Sequence, residues 1–248
     1  MATVILGGSG RLGSRVCAGL VQKKILVRSL QRQLPSVPVP GIEYFAGDVS
    51  NITALCEAMR GCDSVICVHG VKPLRFSKPT DLVLKPSSDS SHPYNVNYIG
   101  VCNVLKAMKL ESVRKIVRIT GGLIGKGELN LFKALFNLLL SFTVKWHEQS
   151  EIAIRASGLD YTILRPTELI DSPPARQSNR SLILSQDFTS SKPSFISLDD
   201  VADLCIRAAV DEDTMPFATA LCSSRAGGDG AQTWTPLLQK VISFDTPV

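Results

Sequence analysis

The chain has 248 residues, of which 44% are hydrophobic, 20% charged and 6% aromatic. That apolar content can bury a sizeable core, which excludes a disordered, collagen-like or coiled-coil chain. The 27 Lys and Arg exceed the 22 Asp and Glu only mildly, with no basic run and few aromatics. Nucleic-acid binding is therefore not expected, and what is left is a weak attraction for anions such as phosphates.

Seven cysteines, at positions 17, 56, 62, 67, 102, 205 and 222, form no CxxC pair. They read as small buried hydrophobes in a reducing compartment. The chain begins almost directly with an apolar run at Thr3–Leu6. No leader is therefore expected before the fold, and the address predicted is cytoplasmic, or an organelle interior if a targeting peptide has been removed. No stretch reaches the ~20 apolar residues of a membrane span. Leu129–Val144 comes nearest, broken by Lys133 and Asn137.

In chain order the pattern alternates between strand and helix. Strand Thr3–Leu6 leads to a helix over Arg11–Val21, with Leu12, Val16 and Leu20 at helical spacing. Ile25–Arg28 is a second strand, and Pro35, Pro38 and Pro40 exclude regular structure after it. Strand Ile42–Ala46, helix Asn51–Met59 and strand Ser64–Val68 follow. A Pro- and Ser-rich loop over Lys72–Pro93 is long enough to suggest function or disorder. Helix Tyr94–Met108, strand Lys115–Thr120, one or two helices over Leu129–Ala156 and strand Tyr161–Arg165 complete the regular part. Beyond Pro166 the pattern loosens to an extended piece at Phe195–Ser197 and a helix Val201–Val210, with Asp199 as its expected N-cap. A strand Phe217–Cys222 and a helix Thr233–Phe244 end the chain. The expected fold is α/β, a Rossmann-type doubly wound parallel sheet in one unit over residues 1–248. Its core spans about 1–166 and a small C-terminal lobe about 167–248.

Gly7-Gly8-Ser9-Gly10-Arg11-Leu12-Gly13 links the first strand to the first helix. The G-x-G-x-x-G spacing supplies a tight turn, a close backbone approach to a pyrophosphate and close helix–strand packing. The helix N-terminus adds free N–H groups and a positive dipole end. A strand–turn–helix context makes this a dinucleotide site rather than a plain glycine turn. No acid lies between Gly13 and Glu43 to hold ribose hydroxyls. Arg28 ends the second strand instead, with Arg32 nearby and Arg11 in the loop. Guanidinium groups there suit a 2′-phosphate, so NADP(H) is expected in preference to NAD(H).

The glycine loop, Gly47-Asp48-Val49, the helix around Asn97, Ser157–Pro166 and Ser194–Val210 together resemble the atypical short-chain dehydrogenase/reductase family, in its NAD(P)-binding, NmrA-like branch. The resemblance spans almost the whole chain. It implies that Asp48 and Val49 meet the adenine, and Asp48 reads equally well as a turn or helix cap. It also implies that His69 and Gly70 pass the cofactor ribose, and that Pro166 and Thr167 meet the nicotinamide. The family's Tyr-x-x-x-Lys falls on Thr143 and His147, and its strand-end Ser on or near Thr120, so none of the three matches. Threonine is a poor general acid, whereas His147 titrates near neutrality and can still bond the ribose. Tyr94 and Tyr98 offer phenols from the neighbouring helix.

The candidate catalytic residues are thus His147, Thr143 and Tyr94. The expected function is an NADPH-dependent oxidoreductase reducing a small carbonyl, quinone or enone, with the substrate unidentified. The alternative is a non-catalytic NADP(H) sensor, or an assembly or scaffold factor for a respiratory or photosynthetic complex. Val144-Lys145-Trp146 adds some likeness to modules of that kind. A nucleotide-sugar epimerase is a third, weaker expectation. The apolar Leu129–Val144 stretch is read first as core or a homodimer face, and only second as a dock for a membrane or a partner. His69, His92 and His147 have no metal-ligand spacing, so no metal is expected.

Overall fold

The computed structural model describes residues 1–71, 89–124, 131–178, 180–185, 195–211 and 218–226. Its centre is β1 (Ala2–Leu6), a strand whose five residues are all buried. Such a run suits a sheet covered on both faces. Val4 and Leu6 point into one core and Ile5 into the other. β2 (Leu26–Gln31) and β4 (Ser64–Cys67) flank β1 in parallel register, and β3 (Ile42–Ala46) pairs with β2. β5 (Lys115–Ile119) and β6 (Asp160–Pro166) continue on the other side. The order β3-β2-β1-β4-β5-β6 is the Rossmann order, so the sheet is mostly parallel and doubly wound as expected.

Helix α1 (Arg11–Gln22) buries Leu12, Val16, Cys17 and Leu20. It packs with α6 (Leu198–Val210) on the face that holds Ile5. The opposite face carries α2 (Ile52–Met59) and α3 (Gly100–Leu110). Helix α5 (Thr143–Arg155) adds Ile154 to that second core.

The second strand is longer than expected, reaching Gln31, so Arg28 sits within β2 rather than at its end. Asn51 caps α2, its Oδ1 accepting from Ala54 N at 3.1 Å. The expected helix Tyr94–Met108 is instead a π-helical turn, Tyr94–Ile99, running into α3. Such turns are rare and cluster at functional sites. Leu129–Ala156 resolves into α4 (Leu131–Leu139) and α5. The break falls at Ser141 and Phe142, with φ of 52° and 57°, a left-handed pair of the kind that L residues seldom adopt.

Beyond Pro166 the same sheet continues. β10 (Ala218–Ala226) lies parallel to β6 and antiparallel to β8 (Arg180–Ser185) and β9 (Phe195–Ser197). β7 (Glu168–Ile170) pairs with β9. The N-cap of α6 is Ser197, not Asp199: Ser197 Oγ accepts from Asp200 N at 3.0 Å and donates to the Asp200 carboxylate at 2.7 Å. Asp200 is fully buried and also accepts from Ala175 N at 2.9 Å, which ties the helix start to the turn before β8. Asp199, two residues past the cap, is exposed and pairs with Arg15. The expected helix Thr233–Phe244 and most of the loop Lys72–Pro93 lie outside the described residues. Among the described residues, no helix is long and apolar enough to cross a membrane.

Candidate functional site

A cleft of about 840 Å³ opens at the C-terminal ends of β1, β2 and β4. This is the switch point of the sheet, where open α/β folds bind ligands. Gly7, Ser9, Gly10, Asp48, Val49, His69 and Gly70 line it, together with Gln31, Arg32 and Val96.

The glycine loop is shaped by close contacts. Gly7 has φ +96°, and a Cβ there would sit 2.8 Å from His69 N. A Cβ on Gly13 would collide with the Gly7 carbonyl oxygen. The loop thus lies directly on the end of β4, and α1 lies directly on the loop. Gly8, Leu12 and Gly13 are buried and build the loop from behind rather than lining the cleft. No side chain caps α1 and no acid stands in its first turn, so its N-terminus offers a positive dipole end to an anion.

The basic residues distribute differently from the sequence expectation. Arg28 Nε donates to Glu43 at 2.8 Å, and its Nη1 donates to the Arg60 carbonyl at 2.6 Å. Its guanidinium closes the C-terminal end of α2, where carbonyls lack partners. Arg28 is not among the cleft residues, which corrects its expected role as phosphate reader. Arg32, exposed beyond the end of β2, lines the cleft instead. Arg11 turns to Asp171 at 2.9 Å on the surface. Asp48 lines the cleft and also closes a turn, its Oδ1 accepting from Ser50 N at 3.0 Å.

The hydroxyls expected at the reacting end are engaged. Thr120 donates to Glu151 at 2.7 Å, and Thr143 donates to the Leu140 carbonyl at 2.6 Å. Glu151 is fully buried and also receives Arg165 and Arg155. Pro166 O accepts from Gly122 N at 2.9 Å, and Thr167 N donates to Cys222 O at 2.9 Å. Those backbone groups close the strand end. Tyr94 packs edge-on to Trp146, with centroids 4.8 Å apart, and Tyr98 stacks on the same indole.

Sequence reasoning missed Arg118, a fully buried residue of β5. Its Nη1 donates to His69 O at 2.9 Å and its Nη2 lies 3.4 Å from His147 Nδ1. An arginine set among Ile116, Val117 and Ile119 was the available signal. Burial, then the Arg118 charge, pushes His147 down to about 3. The same two causes hold His69 well below the usual imidazole range, against a smaller opposite pull from the Val96 backbone. His147 is therefore neutral near pH 7, which corrects the expectation that it titrates there. Both His69 ring nitrogens, the Asn97 side-chain amide and Arg118 Nε are buried without a hydrogen-bond partner. Such atoms are costly unless a ligand or water meets them.

These features agree with what the chain is similar to. Residues 7–212 match the model of the family described as NAD(P)H-binding. Sanguinarine reductase from Eschscholzia californica is 28% identical, the match covering 97% of this chain and 96% of that one. An uncharacterised chloroplastic protein of Arabidopsis thaliana is 25% identical, over 85% of this chain and 72% of its own. A short-chain dehydrogenase/reductase from Veillonella parvula, solved in complex with NADP, superposes with a TM-score of 0.66 at 19% identity, covering 94% of this chain and 96% of that one. The glycine cradle on β4, the Rossmann strand order and the family match over most of the chain lead to one conclusion: the chain belongs to the NAD(P)H-binding family.

Proposed function

We propose that the chain is an NADP(H)-dependent oxidoreductase that reduces a small carbonyl, quinone or enone. The observation that carries this reading is the cleft itself. A glycine loop pressed onto β4 opens the α1 N-terminus toward it, and unpartnered His69 and Asn97 side chains stand at the end of β4 and on the adjacent π-helical turn. The residues fit a dinucleotide. Gly7, Ser9 and Gly10 would hold the pyrophosphate, and Asp48 and Val49 the adenine. Arg32 would hold the 2′-phosphate, with Gln31 where an NAD site keeps an acid. The likeness to a reductase over nearly its whole length and to an NADP complex supports the same reading.

When bound, the cofactor supplies the hydride. The chain's own part is to orient the acceptor and provide a proton. Thr120 and Thr143 are held by Glu151 and Leu140, and His147 is neutral, which leaves Tyr94 or water as the donor. Titration with NADPH and NADH, followed by nicotinamide fluorescence, tests the cofactor assignment. NADPH oxidation across a panel of carbonyls, quinones and enones tests the reaction. Tyr94→Phe abolishes turnover if the phenol donates and leaves it intact if water does.

The sequestered Thr120 and Thr143 hydroxyls favour a second reading, binding without turnover, as a sensor or an assembly factor would use it. Tight NADPH binding with no oxidation across the panel would select it.

A further inference from the structure

α4 is built with its polar side inward. Lys133 is buried and donates to Glu148 of α5 at 2.5 Å. Asn137, about one turn on, accepts from Lys145 N at 3.2 Å. These two contacts fix the rotation of the helix about its axis. Leu131, Leu135, Leu138 and Leu139 recur at helical spacing on the opposite side and face solvent. Leu131 is 83% exposed and Leu135 50%. Half a turn of rotation would bury the leucines and release Lys133, and the fold does the reverse. An apolar stripe displayed while a lysine is buried behind it is the pattern of a contact surface.

Area and charge select what covers it. Leucine side chains exposed to this degree offer roughly half of the ~800 Å² that each partner buries in a stable dimer. An isologous contact would also set Lys145 of both copies in one small patch, like charge on like. A lipid surface asks for no more than one apolar helix face. α4 carries no acid, and Glu148 of α5 is taken by Lys133. Lys145, exposed at the start of α5, lies over the Phe142 and Trp146 rings, 6.0 Å and 5.1 Å from their centroids. The cation thus stands at the rim of the apolar stripe, on a chain of net charge +5. With nine residues, α4 is about 13 Å long, less than half of a ~30 Å hydrocarbon core, so it can lie on a bilayer and not cross one.

We propose that α4 docks the protein on an anionic lipid surface: Leu131, Leu135, Leu138 and Leu139 enter the headgroup–acyl boundary, and Lys145 meets the headgroup phosphates. The Lys133–Glu148 pair and Asn137 hold the stripe outward before any lipid is met, so docking needs no rearrangement of the helix. The cleft is lined by other elements, and the docking face is independent of the cofactor reading.

Co-sedimentation with vesicles tests this, using phosphatidylcholine alone and phosphatidylcholine mixed equally with phosphatidylglycerol. Wild type is expected to sediment with the mixed vesicles and only weakly with phosphatidylcholine. A variant combining Leu131→Gln, Leu135→Gln and Leu138→Gln should lose mixed-vesicle affinity at least about tenfold. Its three positions are exposed, so its melting curve should match wild type. Leu131→Gln alone, at the most exposed position, should weaken binding about threefold and decides the matter if the combined variant does not fold. Lys145→Gln should weaken binding to the mixed vesicles about fivefold and leave phosphatidylcholine binding unchanged. Leu110→Gln, at an exposed leucine of α3, should change nothing. Absence of wild-type sedimentation, or sedimentation that the α4 variants leave intact, overturns the proposal. Equal binding to both vesicle types overturns the anionic surface. A concentration-dependent dimer that the combined variant dissolves, with no vesicle binding, overturns the proposal in favour of a second copy.

Discussion

Thr120 at the end of β5 donates its hydroxyl to Glu151, about two turns into α5, at 2.7 Å. Arg165 of β6 reaches the same carboxylate with two nitrogens, at 3.0 Å and 2.5 Å. The strand-end hydroxyl of Thr120 is part of an internal ion-pair network. Glu151→Ala should leave Arg165 buried without its partner and cost about 3–5 kcal/mol of stability. Glu151→Gln, which keeps the shape and one acceptor, should cost less. Chemical denaturation of both variants measures the difference.

The division between Arg28 and Arg32 separates stability from cofactor choice. Arg32→Ala should weaken NADPH binding about tenfold and leave NADH binding unchanged. Arg28→Ala should lower stability by about 1 kcal/mol, through loss of Glu43 and the α2 carbonyls, with the NADPH-to-NADH preference intact. Fluorescence titration of both variants with both cofactors, beside their melting curves, checks the assignment.

Gly7 has a left-handed φ and faces His69 N. Gly7→Ala therefore meets both backbone strain and a collision with the end of β4. The expected cost is about 1–3 kcal/mol of stability together with loss of detectable dinucleotide binding. Thermal melting with and without NADPH shows both effects, and an undiminished NADPH-induced rise in Tm would contradict the cradle.

Stability should depend on pH through His147 and His69. Both have folded pKa values below the unfolded value of about 6.5, His147 at about 3. Between those limits the unfolded chain binds more protons than the native one, so stability is complete above about pH 6.5 and falls as pH falls toward the folded values. Each histidine contributes a slope of up to about 1.4 kcal/mol per pH unit. His147→Gln should make the decline of Tm between about pH 6.5 and about pH 4 shallower. An unchanged slope would mean that the ring takes its proton freely in the native state.

The buried strands were legible because Thr3–Leu6, Ser64–Val68 and Tyr161–Arg165 are short apolar runs between turn residues. β2 was read short because Ser29 and Gln31 are polar, yet both are buried in the strand. The cap of α6 went to Ser197 because β9 ends there and sets where the helix starts, a tertiary decision between two capable residues. The glycine loop was legible as a motif, since its contacts come from glycines and local geometry. The Arg118–His147 pair was not, because it joins residues from a strand and a helix whose contact depends on sheet order. Short sequence windows record a lone buried arginine and a lone histidine without showing that they meet.

The place of β10 also bears on how the chain comes to be folded. β6 ends at Pro166, but the strand beside it on its outer side is supplied by residues 218–222. During synthesis β1 to β6 emerge well before that partner, with the outer backbone edge of β6 left open. An unpaired edge next to a buried apolar strand is a template for wrong pairing with another chain. Completion of the native sheet is therefore a late event in translation.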